Sequence, residues 1–177
     1  MASEHRFAAP TRWLHWIVAL AVAAIVVLGL WMTFFEPADH AEKDRLYDLH
    51  QNLGITVLLL VALRLVARAR FRAPPLPADT PFAVFLASRL NHIVICALLL
   101  AQPVIGFLDT NAWGFPLVWW GLVPIPSPIG REEALAPKLS DWHWYGAVTL
   151  LVLIATHFAG VAYHSLIRRD RLLRRML

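Results

Sequence analysis

Three histidines, His143, His157 and His164, lie in the apolar run DWHWYGAVTLLVLIATHFAGVAYH, and two more, His15 and His50, stand in RWLHW and LHQNLG. An ionisable side chain inside a membrane span costs roughly 2 kcal/mol or more, so each calls for a chemical reason. His143 and His157 are 14 residues apart. On a helix that step is about 21 Å along the axis and brings the two within roughly 40° of one face. One helix can therefore present two imidazoles at two depths, each needing a partner from another element. Paired imidazoles can hydrogen-bond between helices, relay protons or hold a metal ion. Zinc and di-iron centres fit poorly, because no Asp or Glu sits deep in an apolar run and the two levels are too far apart to share an ion.

The elements that must position these residues follow from composition. Of 177 residues, 59% are hydrophobic, with a mean hydropathy of +0.58, whereas about half is usual for a soluble domain. Four stretches, about 13–34, 46–67, 82–108 and 144–167, reach the roughly 20 apolar residues needed to cross a bilayer. Lipid tolerates only helices or closed barrels, and strand-like alternation is absent. The expected fold is an all-α membrane protein, a four-helix transmembrane bundle forming a single domain over 1–177. The first segment is longer than a signal-peptide core and has no convincing small-residue cleavage site, so it is expected to remain a helix.

With the N-terminus inside, twelve basic residues collect on the inner side (Arg6, Arg12, Arg64, Arg68, Arg70, Arg72, Arg89, Arg168, Arg169, Arg171, Arg174 and Arg175) against four outside. That is a strong positive-inside signal and places both termini in the cytoplasm. The pI near 9.8 then reflects topology and anionic lipid. RRDRLLRR reads as a membrane-surface anchor, and nucleic acid is not a partner. Trp13 and Trp16 mark the inner interface; Trp31, Trp113, Trp119, Trp120, Trp142 and Trp144 mark the outer one. The Pro-rich, apolar GFPLVWWGLVPIPSPIG is expected to lie along the outer interface as a cap.

In this topology His15 lies near the inner start of helix one and His50 near the outer start of helix two. Depth pairs His50 with His143 at the outer level and His15 with His157 at the inner one. Two opposed imidazoles at two levels suit two stacked, non-covalent b-type haems, with the bundle core as cofactor slot and electron transfer as the activity. Covalent attachment is excluded, since the single cysteine, Cys96, forms no CxxCH; Cys96 reads as a small packing residue. His164, seven residues beyond His157 and about 10 Å nearer the inner surface, is a rival inner ligand. Arg64, 14 residues after His50 and on about the same face, either snorkels to the interface or pairs with a haem propionate. Arg12 has a similar claim.

Four segments carry a resemblance over almost the whole chain: RWLHW, LHQNLGITVLLLVALRLVAR, LNHIVICALLLAQPVIGF and WHWYGAVTLLVLIATHFAGVAYH. Together they resemble the bacterial cytochrome b561 family, within the wider group of four-helix di-haem b-type cytochromes that includes membrane subunits of nickel hydrogenases and formate dehydrogenases. The resemblance implies that His15, His50, His143 and His157 match the four haem ligands, and that the protein sits in the bacterial inner membrane and meets the quinone pool. It further implies, for this short branch, an enzyme passing electrons from superoxide in the periplasm to ubiquinone.

For the quinone, His92 and His164 are candidates at the inner end, since imidazole titrates near neutral pH; Arg12, Trp13 and Trp16 lie nearby. For superoxide, the outer segments hold four basic and nine acidic residues. Attraction of an anion therefore rests on local focusing by Arg131, Lys138 or Lys43. The alternative is a di-haem electron-carrier subunit that docks a separate dehydrogenase or hydrogenase. His5 and His40 receive no role.

Overall fold

The computed structural model describes residues 6–35, 39–75, 80–170 and 172–177; His5 and Arg171 lie outside the described residues. Four helices follow one another: α1 (Ala9–Phe34), α2 (His40–Arg70), α3 (Phe82–Ala112) and α4 (Ala136–Ala162). All four are long and apolar enough to cross a membrane. A hairpin of β1 (Leu117–Trp119) and β2 (Val123–Ile125) interrupts the α3–α4 connection. A π-helical turn, Tyr163–Arg168, prolongs α4, and a short 3-10 turn, Leu172–Arg175, follows.

The helices run past the apolar stretches that announce them. Pro10 and Pro137 open α1 and α4 at positions where a missing N–H costs nothing, so α4 begins eight residues before the apolar run. Asp39 caps α2 by accepting from the Ala41 N–H at 3.2 Å. At 31 residues, α2 is about 46 Å long and overshoots a hydrocarbon core of about 30 Å.

One core cluster joins α1 to α2, where Val18 and Val22 meet Val57 and Val61, each pair one turn apart on its helix. A second joins α3 to α4, where Ala112, Ala136 and Leu139 are buried together. Neighbours in sequence pack as α1–α2, α2–α3 and α3–α4, whereas α4 stands off from α1 and α2. The apolar side chains exposed on the outside of the bundle, among them Leu20, Leu59, Leu63, Val66 and Phe158, face what can only be lipid in a membrane protein.

The two ends differ. At one, the hairpin lies along the projecting start of α2: Trp119 and Trp120 donate their indole N–H groups to Thr56 Oγ1 at 3.2 and 3.1 Å, and the Trp120 backbone N–H reaches Asn52. It thus covers a flank of α2. Its turn uses left-handed backbone at Trp120 (φ 51°) and Gly121 (φ 68°). At the other end the chain around Phe7 meets the last residues. Arg169, left-handed at φ 54°, reverses the chain, and the last residues cross the bundle as a strap. Its carbonyls accept from Trp16 Nε1 (Met176, 2.8 Å), the Phe7 N–H (Arg175, 3.1 Å) and Arg12 Nη1 (Leu177). Arg175 donates back to Pro75 at 2.5 Å. The basic tail, read as a surface anchor, is folded onto the protein.

Candidate functional site

The face of α4 that carries His143 and His157 looks toward α1 and α2. At the hairpin end, His50 of α2 stands opposite His143 with ring centres 6.1 Å apart. At the termini end, His15 of α1 stands opposite His157 at 6.4 Å. Roughly 6 Å is the spacing two imidazoles need to share one ion at metal–nitrogen bonds of about 2 Å.

Each ring of the hairpin-end pair rests against a glycine. A Cβ on Gly29 would come within 3.2 Å of His50 Cε1, and one on Gly106 within 2.9 Å of His143 Cε1. Gln102, buried on α3, donates to the His143 carbonyl at 3.0 Å, and its amide fits because residue 146 has no Cβ to collide with it. Pro103 follows inside the same helix. This is the structural content of QPVIGF: an amide holding the backbone of α4 and a glycine clearing room for the ring. Beyond His143, Asp109 accepts from Ser140 at 2.7 Å, and Trp113 donates to Ser140 at 3.2 Å. His50 Nδ1 and His143 Nδ1 are buried without a hydrogen-bond partner, which fits nitrogens and rings held for a larger group.

The termini-end pair is surrounded by side chains. Arg64 places Nη2 3.4 Å from His15 Nδ1 and Nη1 3.8 Å from Cys96 Sγ. His92 packs its ring 4.9 Å from that of His157 and gives its Nδ1–H to the Ser88 carbonyl at 2.6 Å. Trp16 meets His15 edge-on at 5.3 Å. Asn91 and Thr156 pin α3 to α4 beside His157, with Asn91 donating to the Leu153 carbonyl and accepting from Thr156 at 3.1 Å.

The remaining candidates are dispersed. His164, in the π turn, donates to Asp170 at 2.5 Å, and Arg168 approaches the same carboxylate at 3.3 Å. Arg12, three residues before His15 on α1, donates to the strap carbonyl of Leu177. Arg131 is exposed and paired with Glu133 at 3.1 Å. Lys43 and Lys138 belong to the first turns of α2 and α4.

What the sequence reading missed is the glycine framework and Gln102. The signal was present, because a glycine inside a helix costs about 1 kcal/mol relative to alanine, and a recurring cost inside apolar helices calls for a reason.

Two opposed histidine pairs on a four-helix frame match a sequence pattern as well as a geometry. The profile of the prokaryotic cytochrome b561 family matches residues 6–177. The chain belongs to that family. Among its relatives, cytochrome b561 homolog 2 of Escherichia coli is 30% identical over 164 residues, covering 92% of this chain and 86% of the relative. Cytochrome b561 homolog 1 of the same organism is 27% identical over 178 residues, covering 98% and 97%. A probable superoxide oxidase CybB of Yersinia pestis is 28% identical over 165 residues, covering 93% and 91%. Membership makes the chain a bacterial membrane protein of b-type haem electron transfer.

Proposed function

We propose that this protein carries electrons across the bacterial inner membrane through two b-type haems, taking them from superoxide on the periplasmic side and delivering them to ubiquinone. The observation that supports this reading is the two-level pairing on a single helix, His50 with His143 and His15 with His157, at nearly equal ring separations. A bis-histidine haem supplies one-electron transfer with both axial positions of iron closed. Because His143 and His157 share α4, the two levels are held at a fixed spacing of about 21 Å. The termini lie in the cytoplasm, in keeping with the twelve basic residues on that side, which makes the hairpin end periplasmic.

Reduction of one quinone consumes two electrons and two protons, so two superoxide ions give two molecules of dioxygen and one quinol. Of the two quinone candidates, His92 is the better placed. Its ring touches His157, and with Nδ1–H given to Ser88 its Nε2 is the nitrogen left to face a quinone carbonyl. His164 is tied to Asp170 and serves the strap. Arg64 stands beside His15 at the same level, where its guanidinium would lie against a haem held there. On the donor side the similarity to the probable superoxide oxidase of Yersinia pestis supports superoxide, with Lys43 and Lys138 as the guiding charges.

One observation favours the second reading, a carrier docked to a redox protein: Arg131 is neutralised by Glu133, while the hairpin tip presents Leu122 at 82% exposure. Purified, oxidised protein in detergent decides between them. Superoxide should reduce the haem and ubiquinone should reoxidise it. If superoxide leaves oxidised a haem that dithionite reduces, the superoxide reading is lost and the docked carrier stands.

A further inference from the structure

The two levels differ in charge. At the termini end, Arg64 lies half-buried with one guanidinium nitrogen 3.4 Å from His15 and another 3.8 Å from Cys96. Its Nε is buried and unbonded, and no carboxylate pairs with it among the described residues. A guanidinium is not deprotonated inside a protein, so this charge is permanent. Arg68, one turn further along α2, and Arg89 of α3 add positive charge on the same side. At the hairpin end the order is reversed. Asp109 is held by Ser140, one turn before His143 on α4, and lies close enough to the His143 ring to act on it electrostatically.

Reduction adds one negative charge to a haem centre. A neighbouring cation favours the reduced form and a neighbouring carboxylate disfavours it, and both act strongly where the dielectric is low. We infer that Arg64 and Asp109 set the two reduction potentials apart, making the His15–His157 level the electron sink and giving transfer a direction from the hairpin end to the termini end. This rests on the di-haem reading above. Arg64 and Asp109 are positioning charges, and their effect is read in a potential.

The test is a spectroscopic redox titration of the purified holoprotein. The unaltered protein should show two midpoints. The His50→Ala variant, left with the haem at His15–His157, should show the higher of them. In Arg64→Leu the higher midpoint should fall by a tenfold or greater change in the reduction equilibrium, about 59 mV for a one-electron couple, while the lower one stays. Arg64→Lys should recover most of the difference. Asp109→Asn, a near-isosteric change, should raise the lower midpoint alone, and it carries the test if Arg64→Leu sheds its haem. The inference is overturned if the lower midpoint belongs to the His15–His157 haem, or if both Arg64→Leu and Asp109→Asn leave the midpoints unmoved. A preparation holding fewer than two haems per chain would instead bring down the reading on which it rests.

Discussion

The hairpin-end and termini-end histidine pairs are alike in spacing and unlike in surroundings. His50 and His143 are framed by backbone: two helical glycines under the rings, and a buried amide fixing the α4 carbonyl. His15 and His157 are framed by side chains, namely Arg64, His92 and Trp16, with the strap behind them. The first surrounding fixes shape and tolerates no added atom. The second supplies charge and proton-bearing groups and is open to chemistry at its edge. On the proposed function, the termini-end level hands electrons to a proton-consuming acceptor and would use such titratable neighbours, whereas the hairpin-end level would only conduct.

The strongest way to break the comparison is to remove the imidazoles. Each of His15→Ala, His50→Ala, His143→Ala and His157→Ala should lose about one of two haems, measured as haem per chain, because one axial partner is insufficient to hold a b haem at that level. His164→Ala should lose none. A full haem content in His157→Ala together with a loss in His164→Ala would transfer the ligand role to His164.

Next in size comes the glycine framework. A methyl at Gly106 would lie 2.9 Å from the His143 ring and one at Gly29 3.2 Å from that of His50, so the ring must move. Overpacking of this kind costs about 1–3 kcal/mol. Gly106→Ala should therefore weaken retention of the hairpin-end haem by roughly fivefold to 150-fold, with Gly29→Ala milder and the other haem untouched. Equal loss from both levels would show that the glycines serve the bundle as a whole.

The spans and the pairing were legible in the sequence because both depend on periodicity: an apolar run gives a helix, and a 14-residue step gives one face at two depths. The hairpin was not, since Pro124 breaks the alternation of Leu117–Ile125 and its pairing depends on Thr56 and Asn52, more than 60 positions away. The strap was hidden for a similar reason. Five arginines in the last ten residues announce a charged surface, but only the fold reveals that Trp16, Arg12 and Pro75 receive the chain. Arg12 likewise donates to one of the strap's carbonyls, that of Leu177, a partner its charge alone does not specify.

The smallest effect concerns that strap and sharpens the contrast from the termini side. Burial alone would raise the Asp170 carboxyl, but the bond from His164, the Leu172 N–H and the positive charge of Arg168 outweigh it and hold it below its ordinary value. A carboxyl depressed on folding contributes stability that is fully present above its unfolded value of 3.8 and is lost as pH falls through the lower folded one. From Asp170, then, the strap should be unaffected between neutral and mildly acid pH and loosen only in strong acid. Asp170→Asn removes the charged partner at any pH, a change of about 1.5 kcal/mol. Amide exchange across 172–177 should rise roughly tenfold, with both haems retained. Because Trp16 joins the strap to His15, any spectral change should fall on the termini-end haem. A perturbed hairpin-end haem in this variant would mean that the two levels are coupled more tightly than their separate frames imply.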